Sequence, residues 1–265
     1  MMTTARSLGD HLRDWRKLRR MSQLDLALEA EISQRHLSFI ESGRSAPSRD
    51  MLLLLTERLG VPLRGRNPML LAAGYAPLFS ERSLDDPALK SARQAVDIVL
   101  KAHEPFPALA IDRHWTLVAA NAAIALLLRG VADRSLLDGP VNVLRLSLHP
   151  QGLAPDIVNL GEWRAHLLER VRQQIDMTAD PILGGLLKEL QALSPTDGDS
   201  CDIGHDYAGI AVPLKLRTSA GILSLISTTT VFGTPVDVTL SELAIESFFP
   251  ADEQTALTLR KLENV

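Results

Sequence analysis

Hydrophobic residues recur at helical spacing through the first quarter of this 265-residue chain. Leu8, Leu12 and Trp15 lie three or four positions apart, which places them on one face of a first helix. Two later helices are predicted from Ser48 to about Leu59 and from Pro62 to about Ala73. Together with two short helices between these segments, the pattern predicts a compact unit of five helices.

The two short helices are marked by serines at their starts. Ser22 can cap one helix with Asp25 three residues on, and Ser33, eleven residues after Ser22, can cap the next. This spacing leaves room only for a tight turn between the two helices. A helix held rigidly behind another can enter the major groove of DNA, where base edges carry a distinct pattern of donors and acceptors. We therefore interpret the segment as a DNA-binding element.

The pattern changes after about residue 80, and we place a domain boundary there, giving domains 1–79 and 80–265. A helix from about Pro87 to Ala102 is followed by two strand candidates, Ala108–Ile111 and Thr116–Ala119. The next apolar segments have helical periodicity and predict helices at about Asn121 to Arg129, Leu160 to Ile175 and Pro181 to Leu190.

The last third of the chain alternates between apolar and polar residues, which is typical of strands. The alternating residues form three groups: Ile210, Val212, Leu214 and Leu216; Leu223 and Leu225; and Val236, Val238 and Leu240. Two strands, then helices, then a three-stranded meander can close into a five-stranded antiparallel sheet with helices on one side, the order of a PAS domain. The fold class expected for the whole chain is therefore α+β.

Charge is divided unevenly between the two parts. Residues 1–74 contain 12 Lys and Arg against 8 Asp and Glu, a balance of +4, within a chain whose net charge is −4. The remaining part therefore carries −8, and the basic part is the one with the paired helices. The single cysteine, Cys201, and the lack of an apolar targeting or membrane-spanning segment lead us to expect a cytoplasmic protein.

Residues 8–60, with the tail Glu-Ser-Gly-Arg-Ser-Ala-Pro-Ser that begins at Glu41, resemble the Xre-type helix-turn-helix of lambdoid phage repressors. That family usually has glycine where this chain has Glu31, so a left-handed backbone there would be strained, and we expect a local adjustment of the turn with no change of fold. The resemblance also implies an ion pair between Arg16 and Glu41. It implies that Ser33, Gln34, Arg35 and Phe39 face bases and that Gln23 contacts a phosphate.

A helical wheel places Ser33, Leu37 and Ile40 on one side of this helix, taken as the core side, and Arg35, Ser38, Phe39 and Ser42 on the other. Arg35 suits guanine and Gln34 suits adenine. Phe39 is open to two interpretations, contact with a thymine methyl or packing against the fourth helix. Phosphate contacts are expected from the loop residues Arg44, Ser48 and Arg49. A single small domain makes few contacts, so we expect a homodimer on symmetric double-stranded operator DNA.

A second resemblance covers the rest of the chain. It is carried by Ala110–Trp115 leading to Asn121, by Leu148–Gly152 and by Phe232–Asp252, which are similar to MmyB-like regulators. That family joins an Xre-type domain to a PAS-like sensor, and the resemblance implies a small apolar effector of the fatty-acid kind. No other cofactor and no membrane partner are expected.

A PAS-like sheet and its helices can enclose an apolar cavity. The residues best placed to line it are Trp115, Leu144, Trp163, Leu167, Ile210, Leu214, Leu223 and Leu225. Each could instead be ordinary core. A carboxylate head group would need a donor, and the candidates are Arg113, His149 and Arg164.

Catalytic and metal motifs are lacking in the sequence. No nucleophile elbow, phosphate loop or His-Glu-x-x-His is present, and Asp197–Asp202 begins like a calcium loop but has Ala208 where the final glutamate belongs. The leading hypothesis is thus an effector-responsive transcriptional regulator and not an enzyme. The alternatives are a constitutive DNA-binding protein whose second domain only dimerises, and an enzyme with an attached DNA-binding domain.

Overall fold

The computed structural model describes residues 6–193, 212–233 and 237–263. Several residues discussed above lie outside these ranges: Asp197–Asp202, which contains Cys201, and also Ala208, Ile210 and Val236. The chain divides into two units. The helical unit comprises Met1–Arg82, Asp176–Thr178 and Pro235–Ser241, and the sheet unit comprises Ser83–Ile175, Ala179–Thr234 and Glu242–Val265.

The helical unit contains the expected helices of the first part of the chain, namely α1 Leu8–Leu18, α2 Gln23–Glu29, α3 Gln34–Glu41, α4 Arg49–Arg58 and α5 Leu63–Ala72. Serine side chains cap several of them. The capping box predicted at α2 is confirmed, because Ser22 Oγ accepts a hydrogen bond from the Asp25 amide while the Asp25 carboxylate accepts one from the Ser22 amide. At α3 the cap is one-sided, with Ser33 Oγ accepting a hydrogen bond from the amide of His36.

Apolar side chains from all five helices form the core of the helical unit, and Leu12, Leu26, Leu37, Leu52 and Met69 are fully buried in it. Helix α1 approaches α3 closely at Gly9. A β-carbon at that position would overlap the carbonyl oxygen of Glu41. Glycine therefore permits the close contact between the two helices.

The sheet unit begins with α6 Lys90–Ala102, and the chain then alternates short strands and helices. The elements that follow are β1 Ala108–Ile111, β2 Leu117–Ala120, α7 Ile124–Leu127, α8 Val143–Leu148, α9 Leu160–Thr178, α10 Pro181–Ala192, β3 Leu214–Thr218, β4 Gly221–Val231, α11 Val238–Ser241, β5 Ala244–Pro250 and α12 Glu253–Glu263. The last residues of α9 and all of α11 belong to the helical unit. Among the helices that the structure describes, none combines the length and the hydrophobicity that a membrane span requires.

The strands form one antiparallel sheet in the order β2-β1-β5-β4-β3. The predicted five-stranded antiparallel sheet is therefore confirmed. The predicted position of its last strand is wrong, because Val238–Ser241 is helical and β5 begins only at Ala244. The backbone carbonyl of Asp237 accepts from the Ser241 amide and its carboxylate accepts from the Thr239 amide, so a local helical cap wins over the alternating pattern.

Both faces of the sheet are covered at β1. Along β1, Ala108 and Ala110 pack in one hydrophobic cluster with Val96 and Leu100 of α6. Leu109 and Ile111 point to the opposite face, as expected from the two-residue period of a strand, and belong to the main core. This arrangement differs from the prediction of helices on one side only, and the main core on the second face is where the cavity lies.

Candidate nucleic-acid interface and ligand cavity

The turn between α2 and α3 is tight, although Glu31 occupies a position where glycine is usual. Glu31 has φ 55°, so the turn has the left-handed conformation that is strained for a residue other than glycine. The turn is closed by hydrogen bonds from the Glu31 amide to the Leu28 carbonyl, 3.2 Å, and from the Ile32 amide to the Ala27 carbonyl, 2.9 Å. A left-handed non-glycine residue costs about 1–2 kcal/mol. These bonds and the burial of Leu26 and Leu37 on either side hold the geometry against that strain.

Helix α3 has the two faces that the helical wheel gave. Leu37 and Ile40 are buried in the core, whereas Gln34 and Arg35 are exposed at the start of the helix. Ser33, which the wheel placed with the core, is instead exposed, because its hydroxyl caps the start of the helix. Ser38 and Phe39 are half-buried. The loop residues Arg44, Ser48 and Arg49 are exposed as well. The helix thus presents polar side chains on one open face.

The ring of Phe39 lies close to two arginine side chains. The guanidinium groups of Arg35 and Arg44 lie 5.3 Å and 5.8 Å from the centre of its ring. Cations within about 6 Å of an aromatic centroid are attracted by the ring face. Sequence reasoning missed this arrangement, although Arg35 and Phe39 are four residues apart and so lie on the same side of a helix.

Arg16 and Glu41 form the expected ion pair between α1 and α3. Arg16 Nε donates to Glu41 Oε1 at 2.7 Å and Arg16 Nη2 donates to Oε2 at 3.0 Å, and only 12% and 3% of the two side chains are exposed. Arg16 Nη1 also donates to the Met21 carbonyl at 2.9 Å. Gln23, assigned above to a phosphate, donates its side-chain amide to Glu41 Oε2 at 2.8 Å.

The folded environment lowers the pKa of Glu41. Burial raises it, but hydrogen bonds from Arg16 and Gln23, together with the positive charges of Arg16 and Arg13, outweigh burial. A carboxyl group whose pKa is lowered by folding stabilises the folded state at pH values above the pKa that it has in the unfolded chain. For Glu41 that unfolded pKa is near the ordinary value of 4.5. That contribution is lost as the pH falls through the lower folded value.

We therefore expect acid to destabilise the helical unit, with Glu41 as one of the groups responsible. Urea unfolding from about pH 7 to about pH 3 should show a falling midpoint. It can be followed by Trp15 fluorescence after Trp115 and Trp163 are replaced by phenylalanine, since the chain has three tryptophans. Glu41→Gln removes the titrating group and should flatten the profile. An identical pH slope in both proteins would show that the pair does not carry this dependence.

A cavity of about 220 Å³ lies in the sheet unit. Its wall is formed by Leu109, Trp115, Leu117, Ile124, Leu127, Leu128, Leu137, Val141, Val143, Leu144, Leu146, Ser147, Leu153, Trp163, Leu167, Arg170, Leu214, Glu246 and Phe248. Most of these side chains are aliphatic or aromatic. A wall of this kind, with few polar groups, suits an apolar small molecule.

Five of the expected pocket residues lie on this wall: Trp115, Leu144, Trp163, Leu167 and Leu214. Leu223 and Leu225 do not. They are buried in the same hydrophobic core, where β4 pairs with β3, and contribute to packing. Leu214 is the β3 residue opposite Leu225, so sharing a face of the sheet did not by itself decide which side chain reaches the cavity.

The three expected head-group donors also lie away from the cavity. Arg113 lies 3.9 Å from an Asp180 carboxylate oxygen and 3.6 Å from one of Glu242. Arg164 Nη2 donates to backbone carbonyls at the end of α10, at 2.9 Å in the case of Gln191. His149 Nδ1 accepts from the Gln151 amide at 3.1 Å. Each has a local structural partner that sequence alone did not reveal.

The polar groups on the cavity wall are ones that sequence reasoning missed, above all Arg170 and Glu246. Arg170 Nη2 donates to Glu246 Oε1 at 2.5 Å and Nη1 donates to Oε2 at 3.2 Å. Arg170 Nη2 also donates to Thr229 Oγ1 at 2.8 Å, and its guanidinium lies 4.7 Å from the Trp115 ring centre. Helical spacing from Trp163 and Leu167 would have placed Arg170 on the cavity face.

The pKa of His166 is affected by burial and by the Arg170–Glu246 pair. Burial, and then the positive charge of Arg170, lower the pKa of His166, while Glu246 acts in the opposite direction. The ring of His166 is 5.6 Å from that of Trp163 on the cavity wall. A neutral imidazole is therefore favoured beside the guanidinium.

Two protein families match this chain, one over the helix-turn-helix and one over the domain that contains the cavity. The helix-turn-helix family matches residues 12–65, and the family described as MmyB-like transcription regulator ligand binding domain matches residues 92–262. A search of curated proteins found no match.

Among solved structures, an RNA-binding light-oxygen-voltage receptor matches 98% of this chain and 65% of its own, at 14% identity and a TM-score of 0.25. This chain therefore spans slightly less than two thirds of that protein, and such a distant match supports no argument about function. The family matches cover the exposed helix α3 and the cavity described above, and through the larger of them the chain belongs to the MmyB-like transcription regulators, with a DNA-binding helix-turn-helix before the ligand-binding domain.

Proposed function

We propose that the protein binds operator DNA sequence-specifically as a homodimer and changes its affinity when a small apolar, fatty-acid-like effector enters the sheet unit. The observation that carries this proposal is the apolar cavity of about 220 Å³ in a chain that also presents an exposed recognition helix. The alternative is a constitutive regulator whose sheet unit serves only dimerisation.

In this proposal the exposed face of α3 reads bases and the loop after it contacts phosphates. Gln34 and Arg35 present planar, bidentate groups suited to adenine and guanine, with Ser33, Ser38 and Phe39 beside them. Arg44, Ser48 and Arg49 position the helix on the backbone. Gln23 donates one hydrogen of its side-chain amide to Glu41, and the second hydrogen of that amide contacts a phosphate.

Replacing Arg35 by alanine is expected to reduce discrimination between operator and random DNA by about 1–3 kcal/mol. Arg44→Ala serves as the matched control, because it also removes a guanidinium from the Phe39 ring but from a loop assigned to phosphates. It should weaken binding to both DNAs alike. Fluorescence anisotropy with the two duplexes at fixed salt measures both effects. Equal loss on both duplexes for Arg35→Ala would remove Arg35 from base readout.

Chain connectivity suggests how the cavity influences the helical unit. The chain leaves the sheet unit after β4, contributes Pro235–Ser241 to the helical unit, and returns to form β5. Strand β5 carries Glu246 and Phe248 on the cavity wall. Only Glu242 and Leu243 separate α11 from β5, so a displacement of β5 by an occupant is transmitted over a short, covalent path.

Sensing requires that the effector bind one conformational state more tightly than the other. The test is to extract purified protein with organic solvent, identify any stoichiometric small molecule by mass spectrometry, and measure operator affinity with and without it. We expect a molecule with an aliphatic chain and a change of about 5- to 150-fold in affinity. If no molecule is retained and no aliphatic compound alters thermal stability or DNA binding, the constitutive alternative is correct.

A further inference from the structure

The polar groups of the cavity wall form an internally neutral set. Arg170 and Glu246 carry opposite charges, and the Glu246 side chain is only 5% exposed. The other polar groups among the described lining residues are uncharged: the Ser147 hydroxyl, whose oxygen accepts from Trp163 Nε1 at 3.0 Å, and Trp115 Nε1, which donates to Gln174. The cavity therefore offers polar contacts without a net charge.

The guanidinium of Arg170 is already occupied. Its Nη1 and Nη2 atoms donate to both carboxylate oxygens of Glu246, Nη2 also donates to Thr229, and the planar face lies over Trp115. Thr229 Oγ1 in turn donates to Glu246 Oε1 at 2.6 Å. An ionised carboxylate entering the cavity would have to displace Glu246, or lie beside a second buried negative charge. Both alternatives are unfavourable, because the Glu246 side chain is only 5% exposed and like charges repel more strongly away from bulk water.

Resting on the proposed sensing function, and narrowing its fatty-acid-like effector, we propose that the effector has the aliphatic chain of a fatty acid but an uncharged polar end, and that Glu246 selects against ionised carboxylates. The effector is then an aliphatic alcohol, ketone, ester or amide. A hydroxyl or amide exchanges single hydrogen bonds with the edge of the Arg170–Glu246 pair, or donates to and accepts from the Ser147 hydroxyl, without disturbing the charge balance. The apolar chain packs against the leucines and tryptophans of the wall.

Probes of equal length but different head group test this directly. Octan-1-ol, octanamide and octanoate, and the matching decyl series, are titrated into the full chain at neutral pH. Fluorescence of Trp115 and Trp163 reports binding, since both line the cavity. The alcohol and the amide are expected to bind at least about tenfold more tightly than the carboxylate, because buried unpaired charge costs more than a neutral hydrogen bond returns.

Replacing Glu246 by glutamine frees the charge of Arg170 and should reverse the order, so that the carboxylate binds best. Glu169→Gln is the matched control, because Glu169 is on the same helix as Arg170 but is exposed and paired with Arg172. It should leave the order unchanged.

Equal or tighter binding of the carboxylate by the unmodified protein would overturn the inference while leaving the sensing function intact. Failure of every head group in both series to bind would overturn the proposed sensing of aliphatic molecules, and the inference with it. The comparison within the unmodified protein decides the matter even if Glu246→Gln does not fold.

Discussion

Glu41→Ala is expected to lower the free energy of unfolding of the helical unit by about 3–5 kcal/mol. The substitution leaves Arg16 largely buried without its carboxylate, with two of its nitrogens having lost their acceptors. The Gln23 side chain loses its acceptor as well. Because single domains are stable by only about 5–15 kcal/mol, the loss would bring this unit close to unfolding at room temperature.

The expected loss is measured by urea unfolding at neutral pH with Trp15 as the sole tryptophan. Glu29→Ala is the control, since Glu29 is an exposed acid at the end of α2 and its removal changes net charge by the same amount. Surface substitutions of this kind usually stay within about 0.5 kcal/mol. A loss below about 1 kcal/mol for Glu41→Ala would show that water replaces the ion pair and that α1 and α3 are held by apolar packing alone.

The elements that sequence predicted well are those whose signals are local. Ser22 and Ser33 mark the starts of α2 and α3 because a capping side chain bonds to an amide three residues away, so the information lies within one turn. The limits of β1, Ala108–Ile111, were predicted for a similar reason, since a four-residue apolar run between Pro107 and Asp112 has few alternatives.

Errors arose where a local cap decided between structures that the hydrophobic pattern left open. The alternation from Val236 to Leu240 is typical of a strand, yet Asp237 is buried and caps a short helix instead, which moves β5 to Ala244. Helix α8 was not predicted, although Asn142 caps it through the amides of Leu144 and Arg145. Its six residues are too few for the helical period to stand out.

The candidate site also contains residues that the local pattern placed correctly and residues that it could not place. Trp163 and Leu167 were placed on the cavity wall from the apolar face of one helix, whereas Arg113 and Arg164 were considered as anchors only because they are basic. Which guanidinium reaches the cavity depends on partners distant in sequence, such as Glu246 for Arg170, 76 residues apart. The importance of Gly9 has the same origin, since the carbonyl of Glu41 that it accommodates belongs to another helix.

Trp163→Ala is expected to cost the sheet unit about 3–5 kcal/mol, and part of that cost should be recoverable by a ligand. Trp163 is 4% exposed, packs in the main core and donates to Ser147, so its removal leaves both a void and an unpaired hydroxyl. Because the side chain forms part of the cavity wall, the void enlarges the cavity and does not create a separate one.

A ligand that binds only the folded state stabilises it by about 2.7 kcal/mol at a concentration one hundred times its Kd. Dodecan-1-ol should therefore restore more stability to Trp163→Ala than octan-1-ol does. In the unmodified protein the two alcohols should differ less in the stability that they add. Differential scanning fluorimetry with an external dye measures this without relying on tryptophan. Trp15→Ala, a truncation of equal size in the helical unit, is destabilised as well but should gain nothing further from the longer alcohol. If both alcohols rescue the two variants equally, binding occurs outside the cavity and the wall residues do not select chain length.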